Sequence, residues 1–86
     1  MPIDLRLIRH AAALAEHGSF SRAADALGIA QPTLSRSIRD LEAPVGLPLF
    51  SRLRHGAEPT DFGYLFLQPA AAVSAQVADL EREVAL

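Results

Sequence analysis

The chain has no cysteine, so disulfide staples and thiolate-held metals are excluded and stability must come from packing. That composition suits the cytoplasm. Lysine is missing too. All eight basic residues are arginine, the side chain whose planar fork suits phosphate oxygens and guanine edges. The longest apolar-rich run, "FGYLFLQPAAAVSAQVADL", is broken by Gln68, Pro69, Ser74 and Gln76, which argues against a membrane span. The N-terminus carries Asp4 and Glu16 within a helical period, unlike a secretory signal. No glycine-rich phosphate loop, nucleophile elbow or pair of pocketed carboxylates occurs, so an enzyme is not expected. His10, His17 and His55 lack metal-ligand spacing, and no acidic cluster joins them. Structural or solvated roles are expected for them, and no metal or other cofactor.

What is present fits one small globular unit with an appended helix: 86 residues, 50% apolar and 21% charged. The net charge of −2 is unevenly spread. Residues 1–57 hold seven arginines against five acids, whereas residues 58–86 hold Arg82 against five acids. The front is mildly basic and the tail acidic.

Hydrophobic spacing predicts a first helix from an Asp4 cap to His17, stopped by Gly18, with Leu5, Ile8, Ala12 and Ala15 as its buried stripe. "GSFSRAADALG" predicts a short second helix, capped by Ser19 or Ser21, that buries Ala23, Ala24 and Leu27. Only "IAQP" then separates it from a third helix over Gln31–Glu42, which makes a tight helix-turn-helix corner. In that third helix Leu34, Ile38 and Leu41 fall on one side, and Pro32, Ser35, Arg36 and Arg39 on the other. Pro32 belongs in the first turn, where its missing N–H has no intrahelical acceptor.

Leu49 to Leu53 alternates, "RHGA" turns, and "AEPT" forms a weaker extended run, together a two-stranded wing with Arg52 and Arg54 at or near its tip. Thr60 caps a last helix that continues to the chain end. In it Phe66, Ala70, Val73, Val77, Leu80 and Val84 form a heptad-spaced seam suited to a second copy of the chain, and Pro69 should kink the helix or remove one hydrogen bond. The expected fold is mainly α: a winged helix-turn-helix of three helices and a two-stranded wing, followed by a long C-terminal dimerisation helix.

The stretch "LRLIRHAAALAEHGSFSRAADALGIAQPTLSRSIRDLE", with "GLPLFSR" and "PTDFG" after it, closely resembles the DNA-binding domain of LysR-type transcriptional regulators over residues 4 to about 68. The resemblance implies a DNA-binding domain at residues 1–60, a linker and dimerisation helix at 61–86, and an effector-binding domain absent from this chain. It implies sequence-specific binding of double-stranded DNA, as a homodimer through the C-terminal helix on an inverted-repeat operator. A full-length regulator could assemble further. No membrane or small-molecule ligand is implied for this fragment. Position by position, it assigns Gln31, Pro32, Thr33, Ser35 and Arg36 to base reading. Ser21, Arg22 and Arg39 go to phosphates, and Arg52 and Arg54 to the wing over the minor groove.

Three departures from the family's pattern carry expectations of their own. Ala30 stands where a serine is usual, so the third helix loses its side-chain cap. Pro44 should end or bend that helix near Glu42. Glu58 puts an acid beside the wing. The plain alternatives are an Arg36–Asp40 ion pair on a solvated face, an Arg52 that merely lies over the sheet, surface roles for Arg6 and Arg9, and a last helix folded back on its own domain. At the level of function the alternatives are a winged-helix protein–protein module that does not bind DNA, favoured by the acidic tail, and a self-contained small repressor.

Overall fold

The computed structural model describes residues 3–84. Met1, Pro2, Ala85 and Leu86, at the outer ends of the two expected units, lie outside the described residues. The chain folds as a winged helix-turn-helix with a long C-terminal helix: α1 (Leu5–His17), α2 (Phe20–Leu27), α3 (Gln31–Glu42), β1 (Phe50–Leu53), β2 (Gly56–Pro59) and α4 (Asp61–Glu83). Among the described residues no helix is long and apolar enough to cross a membrane.

Short polar side chains start three of the helices. Asp4 Oδ1 accepts from the Arg6 amide at 2.9 Å, Ser19 Oγ from the Arg22 amide at 3.0 Å, and Thr60 Oγ1 from the Gly63 amide at 3.0 Å. Each satisfies an amide that has no intrahelical acceptor. The start of α3 has no such bond, because Ala30 occupies the cap position. That helix ends at Glu42; Ala43 keeps a helical backbone, φ −57° and ψ −48°, but Pro44 after it has no N–H to give the Asp40 carbonyl. Its closing side chain ties down the loop into the wing, for Glu42 Oε2 accepts from the Leu49 amide at 2.7 Å.

The buried face of α1 is not the expected stripe. Leu5 is exposed and Ala12 and Ala15 are only half-buried, whereas Ile8, His10, Ala11 and Leu14 are buried. The helix packs against α2, α3, α4 and β2, so several neighbours rather than one set its buried arc. Leu14, Leu34 and Leu49 are fully enclosed at the centre. Leu27 is half-buried at the edge of this core.

Two antiparallel strands make the wing, with Phe50 opposite Pro59 and Leu53 opposite Gly56. The reversal is tighter than expected, since Gly56 and Ala57 already belong to β2 and only Arg54 and His55 turn. The wing is fastened to the helices at both ends. The Ala57 amide donates to the Gly18 carbonyl at 2.9 Å, an approach so close that a Cβ on Gly56 would lie 2.1 Å from that oxygen. At the other end the Thr60 amide donates to the Leu49 carbonyl at 3.0 Å and the Thr60 hydroxyl to the Pro48 carbonyl at 2.7 Å. From there α4 runs unbroken through Pro69 to Glu83; proline has no N–H, so the bond to the Leu65 carbonyl is missing.

Candidate nucleic-acid interface

α3 turns Leu34, Ser37, Ile38 and Leu41 into the core, which forces the remainder of its surface outward. Gln31, Pro32, Thr33, Arg36 and Arg39 are exposed and Ser35 is half-buried. Arg36 has no hydrogen-bond or ion-pair partner among the described residues, and the Arg36–Asp40 pair does not form. Arg22 and Arg54 stand equally free, on α2 and in the wing turn. Four of the five expected base readers are therefore exposed on α3, and Arg36 among them is left without a partner.

Arg52 behaves differently. Its guanidinium carbon sits 4.2 Å from the Phe20 ring centroid, and its Nη2 donates to Ser35 Oγ at 2.8 Å. Ser35 Oγ also accepts from Arg39 Nη1 at 3.2 Å. One hydroxyl thus gathers an arginine from the wing and another from its own helix, while Phe20 supports the first from below. Arg52 lies between wing and α3 instead of at the wing tip, which belongs to Arg54 and His55. Glu58 lies in β2 opposite Ser51, one register step from Arg52. Neither Phe20 nor the acceptor role of Ser35 was legible, because both depend on contacts made only once the wing has docked.

Ser19 is occupied as the α2 cap, so Ser21, exposed in the first turn, is the free hydroxyl there. With Phe20, Gln31, Arg52 and His55 it lines a cleft of about 310 Å3 between the start of α2, the start of α3 and the wing. The amide ends of two helices, the hydroxyls of Ser19 and Ser21 and one arginine, Arg52, around one cleft suit an anion.

A buried contact fixes α3 to α1. His10 Nδ1 and Ser37 Oγ share a 2.8 Å hydrogen bond. Burial lowers the His10 pKa from its ordinary 6.5, nearby Arg6 pushes the same way, and Asp4 opposes them. The structural role expected of His10 is the one it has. Among the described residues no group of three or more His, Asp or Glu side chains could hold a metal.

The six seam positions of α4 do not share one environment. Ala70 is buried and Phe66 packs against the core, Val77 is half-buried, and Val73, Leu80 and Val84 are exposed at 39%, 61% and 52%. Leu65, exposed at 71%, extends the outer face, although it lies outside the heptad spacing. Arg9 is not a plain surface residue: it is ion-paired with Glu81 of α4.

Residues 5–64 match the family described as "Bacterial regulatory helix-turn-helix protein, lysR family". The "HTH-type transcriptional regulator BudR" of Klebsiella aerogenes is 47% identical over 73 residues, 85% of this chain and 51% of that protein. The "Small neutral protease regulatory protein" of Streptomyces coelicolor is 41% identical over 83 residues, 96% of this chain and 25% of that protein. The chain thus spans about half the length of the first relative and a quarter of the second. Two solved structures are similar throughout. BenM_DBD, in a complex with benA site 1 DNA, matches with a TM-score of 0.82 at 36% identity over 95% of both chains. CbnR_DBD, in a complex with DNA, matches with a TM-score of 0.80 at 31% identity over 98% of this chain and 100% of that one.

Proposed function

Because this chain belongs to the lysR family of bacterial regulatory helix-turn-helix proteins, we propose that it binds double-stranded DNA sequence-specifically to regulate transcription, as a dimer on an inverted-repeat operator. The observation that carries this reading is the free face at the start of α3, with Arg36 exposed and unpartnered among residues whose other sides are in the core. An α-helix presented in this way fits the major groove, and its N-terminal residues meet base edges. Gln31, Pro32, Thr33, Ser35 and Arg36 are the reading set, and Arg36 is suited to a guanine. Ser21, Arg22 and Arg39 hold phosphates, which fix register without carrying sequence. Arg54 reaches toward the minor groove from the wing turn, and Arg52 braces the wing against α3.

Residues 1–60 are the reading unit and 61–86 the dimerisation helix, whose outer face pairs with a second copy. Such a dimer works in the cytoplasm, without cofactor, and performs no catalysis. The net negative charge is no obstacle, since α4 sets Asp61, Asp79, Glu81 and Glu83 against Arg82 alone while residues 1–57 are net basic. A protein-binding winged helix is the less supported reading, because similar chains have been solved as DNA complexes. Selection of bound sites from random duplexes should enrich an inverted repeat with half-sites about 34 Å apart or a multiple of it. The affinity should fall steeply with salt. No enrichment, with affinity unmoved by salt, overturns the proposal.

A further inference from the structure

We infer that the Arg9–Glu81 ion pair is a strut that sets the tilt of α4 against the winged unit, and through it the half-site separation that a dimer accepts. The inference rests on the DNA-binding reading above and concerns its geometry.

Every buried residue of α4 lies in its first ten: Gly63, Leu67 and Ala70. Beyond Ala70 the helix faces α1 across an open groove of about 510 Å3 lined by Glu16, which makes no ion pair among the described residues, and otherwise by small side chains, among them Ala12, Ala15, Ala71, Ser74 and Ala78. Methyl groups and a hydroxyl across such a gap hold a helix weakly, because contacts forfeited to a void are lost outright. In this half of α4 one side-chain hydrogen bond to another element exists among the described residues, from Arg9 to Glu81. The two are 72 positions apart in sequence. Glu81 stands eleven residues past Ala70, about 16 Å along the axis at 1.5 Å per residue, so the contact acts at the end of a lever.

Neighbouring charges leave the pair to itself. Arg82, one residue on, is engaged with Asp79, and Arg6, one turn before Arg9, with Asp4. Arg9 and Glu81 are each more than half-buried, with side chains 37% and 39% exposed, which screens the attraction less than full exposure would. The apolar positions Leu65, Val73 and Leu80 are exposed and stay free for a second copy. When two such helices pair, each winged unit is carried at a fixed angle to its own α4. A change of tilt therefore becomes a change in the distance between the two α3 helices.

The test uses Arg9→Gln and the charge swap Arg9→Glu/Glu81→Arg. In a chain without cysteine, Ser51→Cys and Glu83→Cys, both at exposed positions that leave the Arg82–Asp79 pair intact, accept spin labels cleanly, and labelled chain is diluted with unlabelled chain. The distance distribution should be single and narrow in the parent, broader with Arg9→Gln, and narrow again with the swap. On DNA, a series of inverted repeats differing by single base pairs in spacing should show a sharp optimum for the parent. Arg9→Gln should lose about two- to fivefold of that discrimination, the range a partly exposed ion pair supports. Affinity for a single half-site should not change, and the swap should restore the optimum. An unchanged distance distribution with Arg9→Gln overturns the strut. A broadened one with an unchanged spacing profile, or without rescue by the swap, overturns its link to the operator. A parent that binds no duplex, with the distances behaving as expected, refutes the DNA-binding reading and leaves the strut as a purely mechanical contact.

Discussion

Gly63→Ala sets two physical effects of opposite sign against each other. Gly63 lies in the first turn of α4, where alanine is the better helix former by at most about 1 kcal/mol. On propensity alone the variant is more stable. The structure says otherwise, because a Cβ there would lie 2.0 Å from the Leu49 carbonyl oxygen. That carbonyl cannot swing aside, since it accepts from the Thr60 amide at 3.0 Å and its neighbour Pro48 accepts from the Thr60 hydroxyl at 2.7 Å. Relief requires α4 to move off the β1 entry, and with it Leu67 off the core. Overpacking of this kind costs about 3 kcal/mol, the upper end of the usual range. Setting the propensity gain against it leaves a net loss of about 2 kcal/mol, or about 8–16 °C in melting temperature for a domain of this size. Thermal unfolding followed by circular dichroism measures it. A melting temperature equal to or above the parent's would refute the reasoning and with it the tight junction between wing and α4.

Three further outcomes rest on single contacts. Ala30 has the extended backbone of a cap, φ −72° and ψ 145°, but no side-chain bond, so Ala30→Ser should raise the unfolding free energy by about 1 kcal/mol in urea. Since His10 is held below 6.5 in the folded state, the unfolded chain binds the extra proton. Its contribution is complete above about pH 6.5 and is lost as pH falls through that value toward the folded pKa, at no more than about 1.4 kcal/mol per pH unit. His10→Gln should remove that component from the unfolding free energy measured between pH 7 and 5, as the same curve for the parent shows by difference. Leu80→Asp, at an exposed position of the outer face, should shift sedimentation toward monomer and move the protomer's melting temperature by little.

Much of the fold could be read along the chain because its signals are local. Caps at Asp4, Ser19 and Thr60, the stop at Glu42 ahead of Pro44, and the apolar side of α3 depend on residues within one or two helical turns of each other. The α1 stripe differs for the opposite reason: one apolar period cannot describe a helix packed against α2, α3, α4 and β2, and Leu5 lies outside. The same limit hid the contacts that shape the candidate site. Arg52 meets Phe20 and Ser35, His10 meets Ser37, and Arg9 meets Glu81 only because separate elements pack. Nothing in the spacing of an arginine distinguishes one that is free, like Arg36, from one that is folded inward, like Arg52. Phe66 and Ala70 show it too, since heptad spacing marks an apolar face but not whether the chain's own core or a second copy covers it.

The central claim is that the free face of α3 reads bases, and a base-preference matrix measured for the parent and for Arg36→Ala tests it most directly. The variant should lose about 1–3 kcal/mol of discrimination, roughly 5- to 150-fold, at one position in each half-site, with affinity for random duplex largely kept. A variant with the parent's full preference, or a parent that binds all duplexes alike, would contradict it.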